Sequence, residues 1–276
     1  MSATAVATDE TEPLIHRDPP PKRPFGLARH SLVLARRSLL KTLRNLGGMG
    51  DATIMPIIFL VMFVYLFGGA VAGSTHDYLQ YIFPSILVMT VIIAGMMATG
   101  INLNVDIKKG VFDRFRTLPI ARLAPMMGSV LGDMIRYFVA IAVLFGFGSL
   151  LGFRVETNVL AALAACGLTV LFGFCLSWVY VLVGILIRET SGVQSVILLS
   201  MFPLAFGTDM VAPVDTMPGW LQAWVRVNPV TDVMDASRGL LTGGPVADAL
   251  LRTLIWSAGL LVVFVPAAIW AYRRRT

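Results

Sequence analysis

The run "TIMPIIFLVMFVYLFGGAVA", Thr53 to Ala72, holds twenty residues and no charge. As an α-helix rising 1.5 Å per residue it covers about 30 Å, the thickness of a bilayer's hydrocarbon core. In lipid the backbone polar groups must be satisfied within the segment, which makes a helix the expected form. Further apolar runs lie at about 79–104, 125–151, 159–187, 191–208 and 250–272. The fifth is short and contains Pro203; Pro56, Pro84 and Pro266 lie in others, which neighbouring helices can accommodate. The 276-residue chain is 57% hydrophobic and 14% charged, against about a quarter charged in soluble domains, and its mean hydropathy is +0.78. The expected fold class is therefore an all-α polytopic membrane protein, with a six-span transmembrane domain over 51–276.

Ahead of the first span, residues 1–24 are polar and proline-containing and lack the apolar stretch of a signal peptide, so they read as a disordered cytoplasmic tail. In 25–50, Ala28, Leu32, Ala35, Leu39, Leu43 and Leu46 recur at three- and four-residue steps, with Arg37, Lys41 and Arg44 opposite. This pattern predicts a basic amphipathic helix in the membrane interface, ended by "GGMGD" at 47–51. The same charges also serve as a topogenic flank, and the two roles are compatible.

The formal charge of +6 follows from topology without invoking nucleic acid, because Lys and Arg accumulate in cytoplasmic loops. Of the 22 Lys and Arg, all but Arg136, Arg154, Arg226, Arg238 and Arg252 fall in the N-terminal segment, the 106–124 loop, Arg188 or the C-terminal Arg273–Arg275. Both termini are thus expected in the cytoplasm of a multi-pass plasma-membrane protein. Cys166 and Cys175, nine residues apart, face opposite sides of one helix, and His16, His30 and His76 are scattered, so no metal or disulfide is expected. The sequence has no G-x-S-x-G, no H-E-x-x-H and no G-x-x-x-x-G-K-[ST]. The expectation is a non-enzyme with no nucleotide site of its own.

Three charged places interrupt the apolar pattern. "KKGVFDRFRTLPIARLAP", Lys108 to Pro125, holds five basic residues and one Asp. Val111, Phe112, Phe115 and Leu118 fall at helical spacing among Lys109, Asp113, Arg114 and Arg116, which predicts a short helix ended by Pro119. Its apolar stripe fits a groove in a partner protein or anionic lipid equally well. Residues 209–249 carry five Asp and two Arg. Pro218 opens a helix with Trp220 and Trp224, Asn228-Pro229 breaks it, and Thr231 caps a second helix in which Asp235 and Arg238 pair at i,i+3. This predicts a re-entrant or interfacial hairpin with aromatic anchors; a solvated loop is the alternative. Finally, Asp133 and Arg136 lie one turn apart within the third span. They suit a structural pair, a subunit contact or a substrate contact. Phe59, Phe63, Phe67, Met89, Met96, Met97, Met201 and Phe202 could line an apolar path, though packing is their commoner use. Gly69-x-x-x-Gly73 and Gly148-x-x-x-Gly152 permit close packing and are assigned no role.

The segment "DIKKGVFDRFRTLPIARLAPMMGSVLGDMIRY" resembles the cytoplasmic loop of ABC-2 type transporter permeases, nearest the daunorubicin-resistance exporters of actinobacteria. "TMPGWLQAWVRVNPVTDVMDASRGLLTGG", Thr216 to Gly244, is similar to a second region of the same family. The likeness covers about 30–272 and implies a type V exporter-like fold. It implies a second permease copy, identical or not, and two ATPase subunits that carry ATP and Mg. Lys109, Val111, Phe112, Asp113, Arg114, Phe115, Arg116 and Leu118 would form the coupling helix seated on the ATPase, with Arg36, Arg37 and Lys41 nearby. Trp220, Trp224, Asp232, Asp235 and Arg238 would belong to a hairpin at the extracellular gate. The implied cargo is a drug, polyketide or lipid. Export of a lipid-linked glycan is the alternative within the fold. Outside it stand an ion-coupled carrier, which would want ionisable groups near mid-bilayer, and a non-transport membrane protein.

Overall fold

The computed structural model describes residues 46–110 and 124–275, and side-chain surroundings within 54–110 and 130–274. Most of the described residues are helical, and none of them forms a strand. Five helices are long and apolar enough to cross a membrane: α1 (Leu46–Val71), α2 (Thr75–Lys108), α3 (Ala124–Leu151), α4 (Val159–Leu186) and, last in the chain, α8 (Ala247–Arg275). Between α4 and α8 lie α5 (Thr190–Met201), α6 (Gly219–Val227) and α7 (Pro229–Thr242). The N-terminal tail, Arg36, Arg37 and Lys41 lie outside the described residues, as do Val111, Phe112, Asp113, Arg114, Phe115, Arg116 and Leu118.

α2 is the axis of the molecule. Its 34 residues span about 51 Å, so it outreaches the hydrocarbon layer. Ser74 caps it by accepting from the Asp77 amide at 3.0 Å and donating to Asp77 Oδ2 at 2.6 Å. Asp77 in its first turn and Lys108 in its last also match the helix dipole. Most of α2 is buried, including the polar Ser85, Thr90, Thr99 and Asn104. α1, α3, α4, α5 and α7 surround it. In lipid such helices associate by close van der Waals packing and interhelical hydrogen bonds. Two glycines show this directly: a Cβ on Gly184 of α4 would lie 2.7 Å from the Gly100 carbonyl of α2, and Gly148 of α3 leaves the space that Phe83 fills. Phe83 in turn stacks on Phe153, ring centroids 3.9 Å apart, and meets Phe145 edge-on. The Gly148 repeat therefore has a packing function that the sequence motif alone did not carry.

Several of the residues that could have lined an apolar path serve packing, their commoner use. Phe63, Met89 and Met96 are buried in the main core, and Phe59, Phe63 and Phe67 form a ladder along α1. Met97 and Phe202 point outward. α1 and α8 also turn broad apolar faces outward, among them Ile54, Ile58, Leu66, Ile255, Val262 and Val263. Cys166 and Cys175 are unbridged.

Three expectations need correction. The helix break at Gly47–Asp51 is absent, because α1 already begins at Leu46. Each helical glycine costs about 1 kcal/mol, and a long apolar helix propagating cooperatively absorbs that. Thr231 does not cap the second hairpin helix. Asn228 does, its side chain accepting from the Val230 amide at 3.0 Å, because Pro229 takes the first helical position where its missing N–H is harmless. The fifth apolar segment is not one regular helix: past Met201 the chain widens into a π-helical turn, Phe202–Phe206. Pro203 has no N–H to offer the regular ladder there.

Candidate functional site

Two clusters of polar contacts lie at the ends of this apolar bundle. At the end where α2 starts and α7 packs, Arg238 is the hub. Its Nη1 donates to Asp235 Oδ1 at 2.8 Å and Asp209 Oδ2 at 2.9 Å, and its Nη2 donates to Ser85 Oγ at 2.9 Å. The guanidinium lies over the Tyr81 ring, 4.3 Å from its centroid, a cation–π contact. Tyr81 Oη donates to the Asp209 carbonyl and Tyr78 Oη to the Val211 carbonyl, at 2.7 and 2.8 Å. α2, the strand-free segment after the π turn, and α7 are thus joined through one cation.

Two carboxylates share that cation, and their settings differ. The Asp209 side chain is 7% exposed and that of Asp235 is 45% exposed. Burial, then the Asp209 charge, push the Asp235 carboxyl up to about 6, with Arg238 opposing. Burial also raises Asp232, with Arg252 opposing; those two approach to 3.9 Å. Burial lowers Arg238, but the charge and hydrogen bond of Asp209 together with Tyr81 and Asp235 outweigh it and hold the guanidinium above its ordinary value.

The predicted hairpin residues separate in space. Asp235 and Arg238 pair as expected, and Asp232 faces Arg252 rather than joining them. Trp224 ties α6 to the π turn, its Nε1 donating to the Pro203 carbonyl at 2.9 Å. Trp220 is exposed and takes no part in the cluster.

At the opposite end, α2 stops at Lys109. The amides of Lys109 and Gly110 bond back to the Val105 and Ile107 carbonyls, both at 3.0 Å. Gly110 takes φ +65°, a conformation that suits glycine and ends the helix. Lys109 therefore belongs to the end of α2. Nearby, Asn104 and Thr190 connect α2, α4 and α5, and Lys108 Nζ meets Glu189 Oε2 at 2.9 Å.

Asp133 lies between the two ends. It is buried and accepts from Thr99 Oγ1 of α2 at 3.0 Å, a partner that the Asp133–Arg136 spacing did not suggest. Asp209 and Asn104 also escaped the sequence reading, and Asn228 entered it only as a helix break. Each is a single polar residue at or near the edge of an apolar run, where only a partner distant in sequence gives it meaning.

A bundle of apolar helices with polar fastenings at its ends defines an integral membrane protein. The sequence matches the ABC-2 type transporter model over residues 29–242, and the chain belongs to that family. It is 42% identical over 225 residues, 82% of its length and 79% of the relative's, to the daunorubicin resistance ABC transporter permease protein DrrB1 of Streptomyces coeruleorubidus. It is 30% identical over 245 residues, 88% of each chain, to a protein of Mycobacterium tuberculosis named "Probable doxorubicin resistance ABC transporter permease protein DrrC".

Proposed function

We propose that the chain is the permease subunit of an ATP-driven exporter that moves a hydrophobic or amphipathic compound, such as a drug, polyketide or lipid, out of the cytoplasm or inner leaflet. The observation that carries this reading is family membership across residues 29–242. The relatives' names, with their resistance to daunorubicin and doxorubicin, support the cargo class, as does a bundle whose described interior is mainly apolar.

In this reading two permease copies, identical or not, work with two separate ATPase subunits that bind ATP and Mg. The sequence has no phosphate-binding loop of its own. Both termini and the 106–124 loop face the cytoplasm, supported by the Lys and Arg distribution. The segment Thr190–Phe206 is a sixth, short crossing, since it runs beside α2 from Asn104 toward Tyr81. Residues 111–118 are the coupling helix, Lys109 belonging to the end of α2, with Arg36, Arg37 and Lys41 close to the ATPase. α6 and α7 form an outer gate fastened by Arg238. Closure of the ATPase pair on ATP draws the coupling helices together, and the spans rearrange to release cargo outward or laterally.

The test is reconstitution with a partner ATPase. Phe115→Ala combined with Arg116→Glu should abolish co-purification of the ATPase and transport while the permease still inserts into membranes. Normal efflux by that double variant would refute the coupling assignment.

A further inference from the structure

α5 is fastened at its two ends more firmly than along its length. Asn104 of α2 is fully buried. Its Nδ2 donates to the Gly184 and Ile187 carbonyls at 3.1 and 2.7 Å, where α4 ends. Its Oδ1 accepts from Thr190 Oγ1 at 2.8 Å, at the first residue of α5. One amide thus joins three helix ends and satisfies carbonyls that a helix terminus leaves open.

The other end has a matching device. The π turn frees backbone carbonyls, and the buried Asn228 collects them. Its Nδ2 lies 3.2, 3.0 and 2.7 Å from the carbonyls of Pro203, Leu204 and Gly207. The same side chain caps α7 through Oδ1, and Trp224 adds a bond to the Pro203 carbonyl. Between these points only Val193 and Ile197 of α5 are buried. One further side-chain bond, between Tyr180 Oη and Ser200 Oγ at 2.8 Å, lies in the last turn of α5. Leu198, Leu199 and Phe202 face outward.

A helix pinned at both ends and lightly packed between them shifts as one body. Asn104 stands four residues before Lys108, the last residue of α2, and Asn228 is the sole residue between the two hairpin helices. We propose that Asn104 and Asn228 are positioning residues that make Thr190–Phe206 a strut, carrying displacement of the cytoplasmic end of α2 to the outer hairpin. This rests on the reading of residues 111–118 as the coupling segment.

The experiment uses the full chain with its ATPase in lipid nanodiscs. An environment-sensitive fluorophore is attached at Trp220→Cys, an exposed hairpin position, in a background of Cys166→Ala and Cys175→Ala. In the otherwise unaltered chain, ATP should change the fluorescence. Asn104→Leu and Thr190→Val should retain the ATPase and its hydrolysis rate and lose the ATP-driven signal by about three- to thirty-fold. Thr190→Ser, which keeps the hydroxyl, should restore it. Asn228→Leu should have the same effect, and the Asn104→Leu/Asn228→Leu pair should be no worse than the more severe single variant. A full ATP-driven signal in Asn104→Leu overturns the strut, as does additive damage in the pair. Loss of the ATPase from Asn104→Leu also overturns it, since the residue then serves assembly. An otherwise unaltered chain that holds no ATPase instead removes the coupling reading on which the strut rests.

Discussion

Replacing Arg238 by Ala removes the cation on which the 209–238 region is built. Asp209 loses its bond to Nη1, its carboxylate stays buried at 7% exposure, and Ser85 loses its donor. Removing one partner of a buried ion pair costs about 3–5 kcal/mol. The lost contact with the Tyr81 ring adds about 0.5–2 kcal/mol. Asp235 contributes less, because its 45% exposed side chain lets water replace the pair, worth about 0–1 kcal/mol. The expected order of damage is Arg238→Ala, then Asp209→Asn, then Asp235→Asn. Combining Arg238→Met with Asp209→Asn should recover much of the loss, because the orphaned charge is gone and apolar volume is kept. The assay is thermal unfolding of the purified protein in detergent, followed by fluorescence-detected gel filtration. Equal damage from Asp235→Asn and Arg238→Ala would refute the reasoning, as would a double variant worse than Arg238→Ala.

Two more predictions follow from the described geometry, and a third from the Asp133–Arg136 spacing. Gly184→Leu forces a side chain against the Gly100 carbonyl and should cost about 1–3 kcal/mol, read as a lower unfolding temperature; an unchanged temperature would contradict the close α2–α4 approach. The Asp235 carboxyl is pushed up to about 6 from 3.8, so the folded state holds its proton more tightly than the unfolded state. Its contribution is full below about pH 3.8 and is lost as pH rises through about 6; unfolding temperature should fall over that window, and Asp235→Asn should flatten this dependence. Asp133→Ala and Arg136→Ala should each impair assembly or transport more than the exchanged pair Asp133→Arg/Arg136→Asp does, measured in proteoliposomes; equal damage in all three argues against their pairing.

Much of the helical architecture was legible because lipid imposes simple demands. An uncharged run such as Thr53–Ala72 has few alternatives to a helix, and the Asp235–Arg238 spacing is a local fact of helix geometry. What stayed hidden depends on distance in sequence. Nothing near Asp209 announces that its partner is Arg238, 29 residues on, nor does Ser85 announce a partner 153 residues away. Asn104 reads as a stray amide until Gly184, Ile187 and Thr190 are seen around it. The Thr231 error had a local cause: both Asn228 and Thr231 are good caps, and Pro229 at the first helical position selects the former. Gly47 and Gly48 look like a break by local propensity, but the cooperative helix Leu46–Val71 absorbs their cost.

The central placement of α2 has a consequence for how the molecule is made. The chain emerges from the ribosome N-terminus first, so α2 enters the bilayer long before Gly184, Thr190 and Arg238 exist. Asn104 and Ser85 must wait in lipid for groups encoded in the second half of the sequence. α1 and α2 alone are therefore an unfinished assembly, with polar side chains open to other membrane proteins or to quality-control proteases. A chain ending before Arg238 would leave Ser85 and Asp209 without their cation even if all of the earlier helices were inserted. Completion of the bundle is thus set by its C-terminal third, and nascent α2 needs shelter until that part arrives.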